Sequence, residues 1–172
     1  MSADDAPAGP LSSLINDARD GNLTVSFSDK VHVNADEFVY ILRDCQAFKK
    51  EIRALQAIAQ NIGDRQHWGL GEGTEDLESS KVMVGWFRGK AKVVDPTRDS
   101  SNNVYDILQQ HYDIVDQIET LHQTIAQKYV ETDQEFASEF NTLMANKAPS
   151  PIGSVQVNPG ESVPGVQVGA DK

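Results

Sequence analysis

The side chains best suited to chemistry in this chain are one thiol and four imidazoles: Cys45, His32, His67, His111 and His122. A thiol nucleophile needs a base beside it, and a metal ion needs several ligands converging on one point. Cys45 falls at an apolar position of an amphipathic run, where cysteine behaves as a small hydrophobe. A lone cysteine also excludes an intramolecular disulfide and any Cys-x-x-Cys zinc pair. His111 and His122 share a helix face but stand about 16 Å apart along the axis, at ~1.5 Å per residue, too far to share an ion. Asp113 and Asp116 flank His111, yet residues 95–146 carry ten acidic and two basic side chains, so a solvated acidic face accounts for them. A carboxylate-bridged metal site in a helical bundle needs Glu-x-x-His pairs on facing helices. Glu119 before His122 has that form, and Asp64 before His67 has the spacing with Asp in place of Glu. No catalytic residue, metal site or cofactor is expected.

Gly69, Gly71 and Gly73 alternate after Trp68. A phosphate-binding loop would need a preceding strand or a following Lys-Ser/Thr, and neither is present. The glycines read instead as a turn between helices, with Trp68 either packed across its tip or held out as a binding anchor. Tyr129 and Asp133 stand four residues apart near the end of the last long helical run, a spacing that makes neighbours on a helix. Tyr40 with Asp44 and Tyr112 with Asp116 share that spacing, so position and not pattern distinguishes Tyr129.

The elements that position these residues are helical. Residues 1–33 form an N-terminal extension: residues 1–10 without structure, a short amphipathic helix over 11–20, then Leu23, Val25, Phe27, Val31 and Val33 in alternation, as in a short strand, a hairpin or an extended segment. Asn34 with Glu37 resembles a capping box, and Val33 with Phe38 a hydrophobic staple. The following helix carries Phe38, Ile41, Cys45, Phe48, Ile52, Leu55, Ala59 and Ile62 at alternating steps of three and four, a heptad-like seam. Gly63 ends it. Thr74 is placed to cap a second helix with Leu77, Val84, Phe87, Ala91 and Val94 on its stripe. Asp95-Pro96 marks a break or a new helix start. The last helix is expected to run to about Asn146, with Val104, Ile107, His111, Ile114, Ile118, Leu121 and Ile125 on its seam. Two such seams should pack antiparallel. The fold class is therefore all-α: a long antiparallel helical hairpin or small bundle over residues 34–146, followed by a disordered Pro/Gly-rich tail from 147 to 172.

The 172 residues suit one domain with tails, and 39% hydrophobic content suits helices with one buried face. A net charge of −11 disfavours nucleic acid and anionic lipid as partners. The N-terminus lacks the basic and apolar regions of a cleavable secretory signal, and no apolar run reaches the ~18 residues of a membrane span.

Taken together, Trp68-Gly69-Leu70-Gly71 at a turn between amphipathic helices and Tyr129 with Asp133 at a helix end resemble the WxG-type helical-hairpin family of type VII secretion substrates, found in actinobacteria and related bacteria. The family also carries a His-x-x-x-acid-x-x-apolar-x-x-x-His stretch, which His111, Ile118 and His122 match with Val115 in place of the acid. Leu70 stands where the family turn has glycine, and the chain is longer than the family norm, so it looks like an enlarged and diverged relative. The resemblance implies export without a cleaved signal, Tyr129 and Asp133 as the secretion signal read by the secretion machinery, and pairing with a helical partner protein or a second copy. A cytoplasmic helical adaptor is the alternative that the same features allow.

Overall fold

A computed structural model describes residues 9–24 and 33–153. Five helices follow in chain order: α1 (Ser12–Arg19), α2 (Ala35–Asp64), α3 (Glu78–Ala91), α4 (Val104–Thr132) and α5 (Gln134–Asn146). The all-α expectation holds, with no strand among the described residues. The extended or hairpin reading of Val25, Phe27 and Val31 lies outside them, as do His32 and residues 154–172 of the tail. Residues 148–153, expected to belong to a structureless tail, instead lie along α2, where Ser150 Oγ donates to Asp44 Oδ1 at 2.7 Å.

The frame is the antiparallel pair α2 and α4. Asn34 starts α2 as its N-cap, its side-chain oxygen accepting the Asp36 N–H at 2.9 Å. Asn103 does the same for α4, accepting the Asp106 N–H at 2.9 Å while its own amide donates to Asp106 Oδ2 at 2.7 Å. Each cap satisfies backbone donors that the first turn leaves without partners. Thr74, by contrast, does not cap α3. Residues 74–77 form a separate turn, closed by the Leu77 N–H on the Thr74 carbonyl, and α3 begins only at Glu78. Asp95 starts no helix either; it closes a turn by accepting the Thr97 N–H and hydroxyl.

The α2–α4 contact is rotated from the seams read in the sequence. Ile52 and Ala59 are buried as expected, but Phe48, Leu55 and Ile62 on α2 and Val104, Ile107 and Ile114 on α4 remain exposed. The buried face of α2 is Ala35, Val39, Leu42, Ile52, Gln56, Ala59 and Gly63. The cause is a polar ladder across the pair. Lys49 Nζ lies 2.6 Å from both Asp116 Oδ1 and Glu119 Oε2. Gln46 donates to Glu119 at 3.1 Å, and Arg53 to Gln109 at 2.8 Å. Gln56, 2% exposed, donates to the Tyr105 carbonyl. The Arg53 guanidinium also sits 3.9 Å from the Tyr112 ring centroid. Bringing these partners within reach turns Leu42, Ile52, Gln56 and Ala59 inward and leaves Phe48, Leu55 and Ile62 at the edge.

The last helix is not continuous. α4 stops at Thr132, Asp133 takes an extended conformation, and α5 starts afresh. The Asp133 carboxylate accepts the N–H groups of Glu135 and Phe136, both at 3.0 Å. The break turns Phe136 into a core with Ala35 and Ala126, against which Val33, Phe38, Tyr129, Val130, Phe140 and Leu143 pack. Val33 and Phe38 meeting in one cluster agrees with the staple. At the other face of α4, α1 buries Ile15 and Ala18, and the Leu11 N–H reaches Gln117 Oε1 at 2.9 Å.

Candidate interaction surface

The Trp68 turn is built around one carboxylate. Glu72 Oε1 accepts the N–H groups of Trp68 and Gly69, and Oε2 accepts that of Leu70 at 2.8 Å. Successive backbone donors curling round one anion form a nest, and this one needs positive φ at Gly69 (73°) and Gly71 (86°), which glycine alone adopts at little cost. The hydrogen bonds, that from Trp68 first, hold the Glu72 pKa down at about 2. The Trp68 ring stacks on Phe87 of α3, with centroids 5.7 Å apart and planes 18° apart. Its Nε1 donates to the Arg65 carbonyl at 3.1 Å. Trp68 is thus a half-buried packing piece at the tip. The turn leads from α2 into α3, whose C-terminal end is tied to that of α2 by Arg88 Nε donating to the Gly63 carbonyl at 2.7 Å. The long antiparallel partner of α2 begins only at Val104, so the turn does not join the two long helices directly.

Tyr129 and Asp133 are linked, though not as neighbours on one continuous helix. Asp133 N–H closes the last turn of α4 on the Tyr129 carbonyl at 2.7 Å, while its carboxylate caps α5. The Tyr129 ring packs 5.4 Å from Phe136 and 6.2 Å from Phe38. Of the accessory residues, Ile118 and His122 come together: His122 Nδ1 lies 2.8 Å from the Ile118 carbonyl. A carbonyl only accepts, so Nδ1 carries the proton. The His122 ring packs 6.1 Å from Phe38. His111 is exposed on the surface of α4, apart from both.

Cys45 is half-buried, and burial first, then the Glu119 charge, pushes its thiol above the ordinary range. A raised thiol is a poor nucleophile at neutral pH. Among the described residues no three His, Cys, Asp or Glu side chains are grouped to hold a metal, and no helix is long and apolar enough to cross a membrane.

An apolar groove runs between α2 and α4. Ile41, Cys45 and Phe48 of α2 line one groove with Val115 and Ile118 of α4. Leu55 and Ile62 extend the α2 row from Phe48 at seven-residue intervals, and Ile114, Ile107 and Val104 extend the α4 row. A seven-residue step keeps a row on one helix face, and the groove that Phe48 shares with Val115 and Ile118 joins the two rows on one side of the pair. Phe48, Leu55, Ile62, Val104, Ile107 and Ile114 are each 38–50% exposed. Single exposed apolar residues are ordinary, but aligned ones mark contact surfaces.

Four residues of consequence escaped sequence reasoning. Lys49 and Glu72 gave no signal, being single charges in charged or glycine-rich runs. Ile152 was hidden in a stretch without period. Trp86, 68% exposed, carried a readable sign: residues 79–94 hold four basic and no acidic side chains in a chain of net charge −11. The chain matches no protein-family model, no curated protein and no solved structure.

Proposed function

We propose that the protein is a non-enzymatic type VII secretion substrate or secretion-associated protein, exported without a cleaved signal, that acts through helix–helix contact with a partner. The observation that carries this reading is the double apolar row Phe48–Leu55–Ile62 and Val104–Ile107–Ile114. A helix laid lengthwise along it buries residues that the fold itself leaves half in water. The Trp68 turn and the Tyr129–Asp133 pair support the secretion context through their resemblance to the WxG-type family. Tyr129 and Asp133 contact the secretion machinery in this reading, and the described surface near them includes Lys128, Glu131 and Thr132.

The test is export from the native host, comparing culture filtrate with cell lysate and including a lysis control. Tyr129→Ala alone is ambiguous, because it strips the ring contacts to Phe38 and Phe136. Asp133→Asn is cleaner: asparagine caps a helix as well as aspartate, so the fold persists while the charge goes. The expected result is wild type outside and Asp133→Asn and Tyr129→Phe retained inside with unchanged melting. Export of both at the wild-type level sinks the signal assignment. Wild type held inside favours the cytoplasmic adaptor.

A further inference from the structure

The apolar groove between α2 and α4 is already occupied at one end. Ile152 lines it with Ile41, Cys45, Phe48, Val115 and Ile118, and is itself 36% exposed. One hydrogen bond and one close approach seat the segment on α2, and a further hydrogen bond shapes the segment itself. Ser150 Oγ donates to Asp44 Oδ1 at 2.7 Å. The Ile152 N–H returns to Ser150 Oγ at 3.1 Å. Gly153 lies against the Glu51 carboxylate, one turn from Phe48. Asp44 is held ready for the hydroxyl by Arg43, whose Nε lies 2.7 Å from Oδ1; Arg43 first, then Ser150, lowers the pKa of Asp44. Pro149 and Pro151 restrict the backbone around Ser150, so little freedom is lost on docking. The hydrogen bond from the segment to Asp44 of α2 is made between side chains.

We propose that this groove is a docking site for an extended peptide of the form Pro-Ser-Pro-Ile, filled here by the chain's own Pro149–Gly153, and that a helical partner lying along the apolar stripe displaces that segment. The displacement rests on the partner-binding reading above; the docking site does not. A hydroxyl taken by the Asp44–Arg43 pair and a branched aliphatic side chain two residues later, seated over Cys45 and Phe48, are the two recognition elements. Release uncovers Phe48 and Ile118 and makes the stripe continuous toward Ile41.

Cys45 is the single thiol of the chain and lines the groove, so its rate of reaction with an Ellman-type disulfide reagent at pH 8 reports the segment's departure. The experiment uses the purified full chain and needs neither partner nor host, so its outcome is independent of the export test. Ile152→Asp is expected to speed labelling about tenfold, as loss of a partly buried aliphatic contact implies, with unchanged far-UV circular dichroism. Ser150→Ala speeds it a few fold, and excess peptide spanning residues 147–153 slows the Ile152→Asp protein again. Labelling of both variants at the wild-type rate overturns the proposal, and a peptide without effect overturns the docking site. If Ile152→Asp loses helix, Ser150→Ala decides alone: a wild-type rate refutes the contact.

Discussion

At the residue scale, Glu72 shows how one side chain sets the shape of a loop. Three backbone donors that a glycine-rich turn leaves unpaired are taken by its carboxylate. Because the folded pKa is about 2 against an ordinary 4.5, the charged form favours the closed turn. Its contribution is complete above about pH 4.5 and is lost as pH falls toward 2. The readout is Trp68 emission in a Trp86→Phe background. We expect it to stay constant from about pH 7 to 5 and to move red between 4.5 and 2 as the turn opens, while Glu72→Ala is already red-shifted at neutral pH. Emission indifferent to Glu72→Ala would show that the nest does not hold the ring. The turn itself was readable from Trp68, Gly69 and Gly71, because glycine at that density has few other uses. Its acid partner was not, since the donors exist only once the backbone has curled. Asp133 is similar. Its distance from Tyr129 was visible in the chain, yet its role as the cap of α5 depends on where Phe136 must go.

At the element scale, the polar ladder between α2 and α4 decides which faces meet. Burial works against the Lys49 charge, but its hydrogen bonds to Asp116 and Glu119 outweigh that and hold its pKa above the usual lysine value. A group raised in this way stabilises the fold below the unfolded lysine pKa and loses its effect only in strong alkali, so neutral pH is well inside its range. Lys49→Ala leaves two carboxylates one turn apart on α4 without their cation from α2, with Glu119 only 12% exposed. We expect a loss of about 2 kcal/mol in urea unfolding, below the ~3–5 typical of a fully buried pair because Asp116 is half in water. A loss under ~0.5 kcal/mol would mean the pair is a surface contact that sets nothing. The start of α2 was legible from Asn34 and from the apolar period, because caps and periodicity are local. The register was not. A rotation of one residue position exchanges Phe48 and Leu55 for Gln56 and Lys49, and periodicity alone allows both. The break at Asp133 escaped for the same reason: local propensity is content with a continuous helix, and packing of Phe136 on Phe38 overrules it.

At the scale of the whole molecule, the fold leaves a row of large apolar residues at the edge of the α2–α4 pair. Leu55→Glu with Ile107→Glu should therefore change the free energy of unfolding by less than about 0.5 kcal/mol per site, while removing the stripe as a contact. Gel filtration of protein taken from the native host checks this: wild type should elute in a complex larger than one chain, the double variant as a monomer of unchanged melting temperature. A double variant that unfolds would show that these residues belong to the core. The sequence by itself determined the helical class, the ends of α1 and α2, the end of the helical region at Asn146 and the placement of the Trp68 turn, because each depends on residues within a few positions of one another. The pairing of α2 with the last long helix was legible too, from their two long seams. Tertiary structure alone decided that Asp133 divides the last helix, that the apolar rows face outward, and that Ile152 returns to cover one end of them. Those outcomes join residues far apart in the chain: Ser150 meets Asp44, and Lys49 meets Glu119. Such contacts arise only when several elements satisfy their charges, hydrogen bonds and volumes at once, a condition that no single stretch of sequence contains.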